Sequence, residues 1–202
     1  MLDFEKTFYS ERVVYIAGVD EAGRGPLAGP VFAAAVVFDP SYRNEEINDS
    51  KKLSAKKRER LFNEIKEHAL AYGIASASAE LIDEINIYEA TKVAMKEAIA
   101  QLKIKLDLVL SDAMPLEGLR VEVVPIIKGD AKCLNIAAAS ILAKVSRDRL
   151  MEEIALKYPQ YGFEKHKGYG TKVHMEALKE YGPIPSIHRV SFAPVKALIK
   201  TF

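Results

Sequence analysis

Two short apolar runs open the regular structure of this chain. Val13 to Val19 and Val31 to Phe38 are rich in β-branched and small residues, are bounded by glycine or Asp39-Pro40, and read as buried strands. The short Gly-rich connection between them predicts an antiparallel pair. Beyond this the period changes. Leu61, Ile65 and Ala69 repeat at helical spacing, which predicts a helix over Ser54 to Ala69 capped by Ser54. A strand is expected over Tyr72 to Ala79, and an amphipathic helix over Ile87 to Leu102, with Asn86 and Glu89 placed as an N-terminal cap pair. Short strands follow at Leu106 to Leu110 and Val121 to Ile126. A long helix rich in small residues runs from near Ala131 toward Lys157, where Pro159 stops it. A polar, Gly-rich loop (Tyr161 to Gly170) then leads into a helix from about Thr171 to Tyr181, stopped by Gly182-Pro183. Strands first, then alternating helices and strands, indicate an α/β fold: a mixed sheet flanked by helices.

Four carboxylates fall at element ends rather than inside them. Asp20 and Glu21 come just after the first strand, Asp112 follows the strand Leu106 to Leu110, and Asp130 sits where the long helix begins. Strand ends on one edge of a sheet are where side chains from distant parts of a chain converge. If these four meet, mutual repulsion raises their pKa values unless cations neutralise them. Hard oxygen ligands without paired Cys or His favour Mg²⁺ or Mn²⁺ over zinc, and two such ions form an apparatus for attack on a phosphodiester. Asp112 also reads as a turn residue before Met114-Pro115, and Asp130 as an ordinary helix cap.

The segment after Glu21, from Gly23 to Gly29, has the wrong spacing for a dinucleotide fingerprint, and no P-loop motif exists. Two glycines around Arg24 are suited to close backbone approach to a bulky ligand, and the arginine adds charge for a phosphate.

Composition and charge refine this picture. With 49% hydrophobic and 28% charged residues in 202, the chain is that of an ordinary globular protein. Its apolar runs are too short to span a bilayer, no signal peptide is visible in Met1 to Lys6, and the single cysteine, Cys133, suits a reducing cytoplasm. The net charge of +1 hides two basic regions: the cluster from Lys51 to Arg60, and the stretch from Ala143 onward, which holds eleven Lys and Arg against six Asp and Glu. Such a chain can present a positive face to a polyanion, though the first cluster also reads as a solvated helix face.

The run Gly18-Val19-Asp20-Glu21-Ala22-Gly23-Arg24-Gly25-Pro26-Leu27-Ala28-Gly29-Pro30 closely resembles the signature of ribonuclease HII, the type 2 ribonuclease H of prokaryotes. Further matching blocks follow in order: Asn48 to Leu53, Ser111-Asp112, Lys128-Gly129-Asp130, Ala137 to Arg149, His166 to Lys172 and His188 to Phe192. The resemblance covers nearly the whole chain. It implies the ribonuclease H-like fold and the hydrolysis of the RNA strand of RNA–DNA hybrids, with incision at ribonucleotides embedded in duplex DNA. It assigns metal binding and catalysis to Asp20, Glu21, Asp112 and Asp130, holding two Mg²⁺ or Mn²⁺ ions and leaving 5′-phosphate and 3′-hydroxyl ends. It also implies that Gly23, Arg24 and Gly25 read the ribose 2′-hydroxyl and that Tyr169 stacks on the next sugar.

Lys52, Lys144, Arg147 and Lys167 become candidate phosphate contacts, with Ser140 as a neutral donor; Ser140, Lys144 and Arg147 share one helix face. Arg147 alternatively reads as a surface partner of Asp148 or Glu152. His166 and His188 have no metal-ligand spacing and are expected to be structural or to contact phosphate. One catalytic domain over residues 1–202 is expected, its C-terminal part helical from about residue 158, acting as a cytoplasmic monomer. Weighed against this are a ribonuclease HIII-like nuclease, disfavoured by the short segment before the first strand, and a non-catalytic hybrid-binding module, disfavoured by four intact acids. The apolar segment Leu198 to Phe202 suggests a sliding-clamp tail but lacks the glutamine such tails carry, and reads as a packed or frayed end.

Overall fold

The computed structural model describes residues 4–199. Five strands form one mixed sheet in the order β3-β2-β1-β4-β5. β1 (Ile16–Ala22), β2 (Val31–Val37) and β3 (Ala71–Ala77) form an antiparallel meander, as the short connection predicts. β4 (Leu108–Asp112) and β5 (Val123–Ile126) run parallel to β1 on its other side. Two strands are displaced toward their C-termini from the apolar runs that announce them. Val13 and Val14 precede β1, and the Val14 and Tyr15 amides donate to the Asp107 carboxylate instead of joining the ladder. β1 instead continues through Asp20 and Glu21, which pair with Ala34 and Ala33 of β2. The two acids are therefore held inside the strand rather than after it. Backbone pairing, not side-chain polarity, sets where a strand ends.

Period-two alternation sorts the sheet residues between two layers. Ala17, Val19, Ala33, Ala35 and Val109 face α2 (Ala79–Ala100), whereas Ala34 and Val36 face α1 (Ala55–His68) and α3 (Leu134–Lys157). α3 is buried continuously from Leu134 to Ala143, so its run of small apolar residues is a central helix enclosed on all sides rather than an amphipathic surface helix. Gly18 makes its close approach possible: a Cβ there would lie 2.2 Å from the Asn135 carbonyl carbon and the Ile136 nitrogen. α3 starts three residues later than its sequence pattern suggests. The segment Gly129–Ala131 is a separate 3-10 turn, and the Glu5 carboxylate accepts from the Asn135 amide at the helix start.

The remaining helices begin where capping chemistry dictates. Ser54, Ser78 and Thr171 each accept an amide from the first turn of α1, α2 and α5 (Lys172–Tyr181). α2 extends further back than the sequence pattern indicates and is broken at Asn86, whose φ of 69° interrupts the helix. The Asn86 Oδ1 caps the second half through the Tyr88 and Glu89 amides, as its position predicts.

Beyond α3 the chain forms a helical cap from α4 (Phe163–His166), α5 and α6 (Ala193–Ile199). Phe163, Leu178, Ile184 and Val195 pack there against Met151 and Ala155 of α3 and against Leu27 and Ala28 of the glycine segment. Lys200 to Phe202 of the expected tail, and Met1 to Asp3 at the other end, lie outside the described residues. No helix among the described residues is long and apolar enough to cross a membrane.

Two histidines knit the cap. The Ile184 amide donates to His188 Nδ1 at 2.8 Å, which leaves the proton of a neutral ring on Nε2 to donate to His174 Nε2 at 3.1 Å; His174 Nδ1 then donates to the Tyr169 carbonyl at 2.9 Å. Burial, first, and the neighbouring imidazoles push His174 and His188 down to about 4. The unfolded chain therefore takes up these protons first, and stability present above about 6.5 is lost as the pH falls toward about 4. The urea-unfolding free energy of the wild type is expected to fall more steeply between pH 7 and 5 than that of His188→Gln, by up to about one proton per molecule. Equal slopes would show that this relay does not couple folding to protons.

Candidate active site

The parallel half of the sheet gathers the acids. β1, β4 and β5 run in one direction, so their C-terminal ends share an edge, and the 3-10 turn after β5 reaches the same edge. Asp20 lies two residues before the end of β1 on the α3 side, Asp112 is the last residue of β4, and Asp130 projects from the turn. Ligand oxygens of these three lie within 4.8 Å of one another. Glu21 faces the other way on β1 and stands outside that trio, but it lines the same cleft.

Local chemistry holds the carboxylates in place. The Gly129 amide donates to Asp112 Oδ1 at 2.7 Å, and the Glu21 amide donates to Asp20 Oδ1 at 2.7 Å. Gly129 has no room for a side chain, since a Cβ would lie 2.6 Å from Ile136 Cδ1 and 3.4 Å from Asp112 Oδ1. Lys51 Nζ lies 3.2 Å from Asp130, and Arg24 Nη1 lies 3.5 Å from Glu21. Burial pushes Asp20 well above the usual carboxylate range, reinforced by the charges of Glu21 and Asp112. Burial also raises Glu21, with Arg24 opposing, and raises Asp112, with the Gly129 amide opposing and Asp130 adding to the effect. The Glu21 Oε2 is buried with no hydrogen-bond partner. Clustered, desolvated oxygens with an unpartnered lone pair form a donor set that fits a hard divalent cation.

Asp20, Glu21 and Asp112 open into a cleft of about 220 Å³. Gly23, Arg24, Gly25 and Tyr169 line it on one side, and Ser140 and Lys144 come from α3. A Cβ on Gly25 would lie 3.5 Å from Tyr169 Cε1, so the glycine loop and the tyrosine ring adjoin. Other predicted residues sit differently. Of the adjacent exposed pair Lys51 and Lys52, it is Lys51 that lines this cleft, because the 3-10 turn Ser50–Lys52 turns Lys51 toward Asp130. Ser140 is buried, its Oγ 2.7 Å from Ser50 Oγ. Lys144 pairs with Asp148 at 2.7 Å, and Lys167 pairs with Glu152 at 2.8 Å beside a second cleft of about 310 Å³.

Arg147 departs from both sequence readings. It is 1% exposed, and it donates to the carbonyls of Pro30, Lys167 and Ala28 rather than to a surface carboxylate. A position on the Ser140–Lys144 face puts its stem toward the cleft, but the carbonyl-rich glycine segment draws the guanidinium inward. Arg189, within the matching block His188 to Phe192, is fully buried and bonds the Gly23, Arg24 and Gly29 carbonyls. Its signal in the sequence is its place in that block, which does not indicate what it binds.

The family model for ribonuclease HII matches residues 17–195. The chain belongs to the ribonuclease HII family. Ribonuclease HII of Ruminiclostridium cellulolyticum is 60% identical over 192 residues, which cover 95% of this chain and 75% of that protein. That of Acholeplasma laidlawii is 56% identical over 199 residues, 98% of this chain and 97% of the relative. Among solved structures, ribonuclease H2 from Pyrococcus horikoshii OT3 superposes with a TM-score of 0.79 at 29% identity, covering 93% of this chain and 98% of the other. As a member of the ribonuclease HII family the chain is a metal-dependent ribonuclease H acting on RNA–DNA hybrids, and its mixed sheet is the ribonuclease H-like fold.

The electrostatics generate a stability prediction. Asp20→Asn is expected to raise the melting temperature in metal-free buffer at neutral pH, each kcal/mol of relieved repulsion being worth about 2–4 °C in a chain of this size. Millimolar Mg²⁺ should then stabilise the wild type more than the variant. An unchanged or lower melting temperature without metal would mean that Asp20 is not under electrostatic strain.

Proposed function

We propose that the chain cleaves the RNA strand of hybrids and also incises duplex DNA at single embedded ribonucleotides, using two Mg²⁺ or Mn²⁺ ions held by Asp20, Glu21, Asp112 and Asp130. The observation that carries this reading is that Asp20, Glu21, Asp112, the Gly23–Gly25 loop and Tyr169 line one cleft, with Asp130 within 4.8 Å of Asp20 and Asp112. When bound, the ions supply an activated attacking water and neutralise charge on the leaving 3′ oxygen, giving 5′-phosphate and 3′-hydroxyl ends.

The chain's own residues provide selection and placement. Backbone groups of Gly23, Arg24 and Gly25 meet the ribose 2′-hydroxyl, the atom that separates RNA from DNA. Tyr169, 47% exposed beside Gly25, offers its ring to the following deoxyribose. Arg24, 44% exposed at its side chain and only loosely paired with Glu21, can turn to a phosphate. Lys51 and Lys144 flank the acids and draw the backbone in, while Lys167 lines the second cleft, where a duplex extending past the first would meet it, and Lys52 lines neither. Lys51 also covers Asp130 and is the group a cation would displace.

A labelled duplex containing one ribonucleotide tests the proposal directly. Divalent-ion-dependent incision at the ribonucleotide is expected. Asp20→Asn should abolish cutting while duplex binding persists, because removing negative charge does not weaken contact with phosphates. Binding lost together with activity would make Asp20 structural. For recognition, Tyr169→Ala should reduce incision at a single ribonucleotide about tenfold or more relative to its effect on a long hybrid, the scale of one lost stacking contact. Equal losses on both substrates would remove Tyr169 from junction reading.

A further inference from the structure

Two buried arginines join the glycine loop to the segment that carries Tyr169. Arg189 sends Nε to the Gly29 carbonyl at 2.9 Å, Nη1 to Arg24 at 2.9 Å and Nη2 to Gly23 at 2.6 Å. Arg147 reaches the same loop from α3, sending Nε to Pro30 and Nη2 to Ala28, each at 3.0 Å. Its Nη1 crosses to the Lys167 carbonyl, also at 3.0 Å, two residues before Tyr169. The main chains complete the link: the Leu27 amide donates to the Gly168 carbonyl at 2.8 Å, and the Arg189 amide donates to the Leu27 carbonyl at 2.9 Å. Space is equally tight. A Cβ on Gly23 would lie 2.1 Å from Arg147 Nε, and one on Gly168 would lie 2.5 Å from the Ala28 carbonyl oxygen.

Burying a guanidinium is costly unless its donors are satisfied. Burial depresses Arg147 to about 10 and Arg189 to about 9, so both remain charged at neutral pH. Two such groups 42 residues apart in the chain, each spending three bonds on main-chain carbonyls, do more than fill space. A trans peptide unit is planar, and its C=O and N–H point in opposite directions. Fixing the Gly23 and Arg24 carbonyls on Arg189 therefore aims the N–H groups of Arg24 and Gly25 away from it. Those residues line the cleft.

We infer that Arg189 and Arg147 are specificity-determining positioning residues: Arg189 orients the Arg24 and Gly25 amides as a paired donor site for the ribose 2′-hydroxyl, and Arg147 fixes that site's distance from Tyr169. This rests on the proposed role of the loop in reading ribose. The device explains why arginine is needed at both positions. A lysine keeps the charge but presents a single point of donation, and it cannot span three carbonyls in a plane.

The test uses Arg189→Lys and Arg147→Lys in the full chain, with thermal melting to establish folding. Two readouts are taken: amide hydrogen exchange in the free protein, and cleavage of a single-ribonucleotide duplex against a long hybrid. Faster exchange confined to the Gly23–Pro30 and Lys167–Gly170 segments is expected in both variants. The ratio of single-ribonucleotide to hybrid cleavage should fall tenfold or more. Should Arg189→Lys fail to fold, Arg147→Lys addresses the same loop from its other side. Exchange unchanged, or raised evenly over the molecule, overturns the inference, and so does faster loop exchange with an unaltered cleavage ratio. A wild type that cuts hybrids but not single ribonucleotides strikes the proposed function alone, because the exchange readout still decides whether the arginines hold the two segments together.

Discussion

Three carboxylates with ligand atoms inside 4.8 Å repel one another, and much of the architecture serves to hold them there. A sheet that is parallel across β1, β4 and β5 delivers Asp20 and Asp112 to one edge and brings the Asp130 turn beside them. α3 lies close behind that edge because Gly18 leaves it room, and Gly129 lets the turn press against both Ile136 and Asp112. What offsets the repulsion in the chain itself is modest: two amide donors and one lysine. The raised pKa values of Asp20, Glu21 and Asp112 are the residue of that imbalance, and a divalent cation is the chemical species that removes it.

The loop proposed to select the substrate is built onto the same strand. The chain leaves β1 directly into Gly23-Arg24-Gly25, so the distance between the acids and the loop is set by a few covalent bonds rather than by domain packing. Tyr169 comes from far along the sequence and is placed by different means. Its carbonyl accepts from His174, its neighbour Gly168 bonds Leu27, and Arg147 spans to Lys167. The helical cap is thus less an appendage than the frame that sets Tyr169 against Gly25.

The parts of this arrangement that could be read from the chain were those written in local patterns. Apolar β-branched runs marked every strand and helical spacing marked the main helices, and the acids at strand ends announced an edge where they converge. Strand limits were less legible, because Asp20 and Glu21 look like the end of an apolar run but are paired through their backbones with Ala34 and Ala33. The front half of α2 was missed, since its break at Asn86 disguised one helix as the start of another. Long-range hydrogen bonding was not legible at all. Choosing Lys51 over Lys52 depends on the rotation of a single turn, and the inward course of Arg147 and Arg189 depends on carbonyls more than a hundred residues away. Positive charge in a nucleic-acid-binding chain reads as phosphate contact by default; here two fully buried guanidinium groups bind the protein's own backbone.

The central claim is that the four carboxylates form a divalent-ion site facing the bound ribonucleotide. Anomalous scattering from Mn²⁺ tests it most directly, in crystals of the protein with a duplex that holds one ribonucleotide and a slowly cleaved phosphorothioate after it. The account predicts two Mn²⁺ peaks bracketing that linkage, with oxygens of Asp20, Glu21, Asp112 and Asp130 at coordination distance, about 2.0–2.6 Å. Bound duplex with no peak among these side chains, or peaks held by other residues, would contradict it.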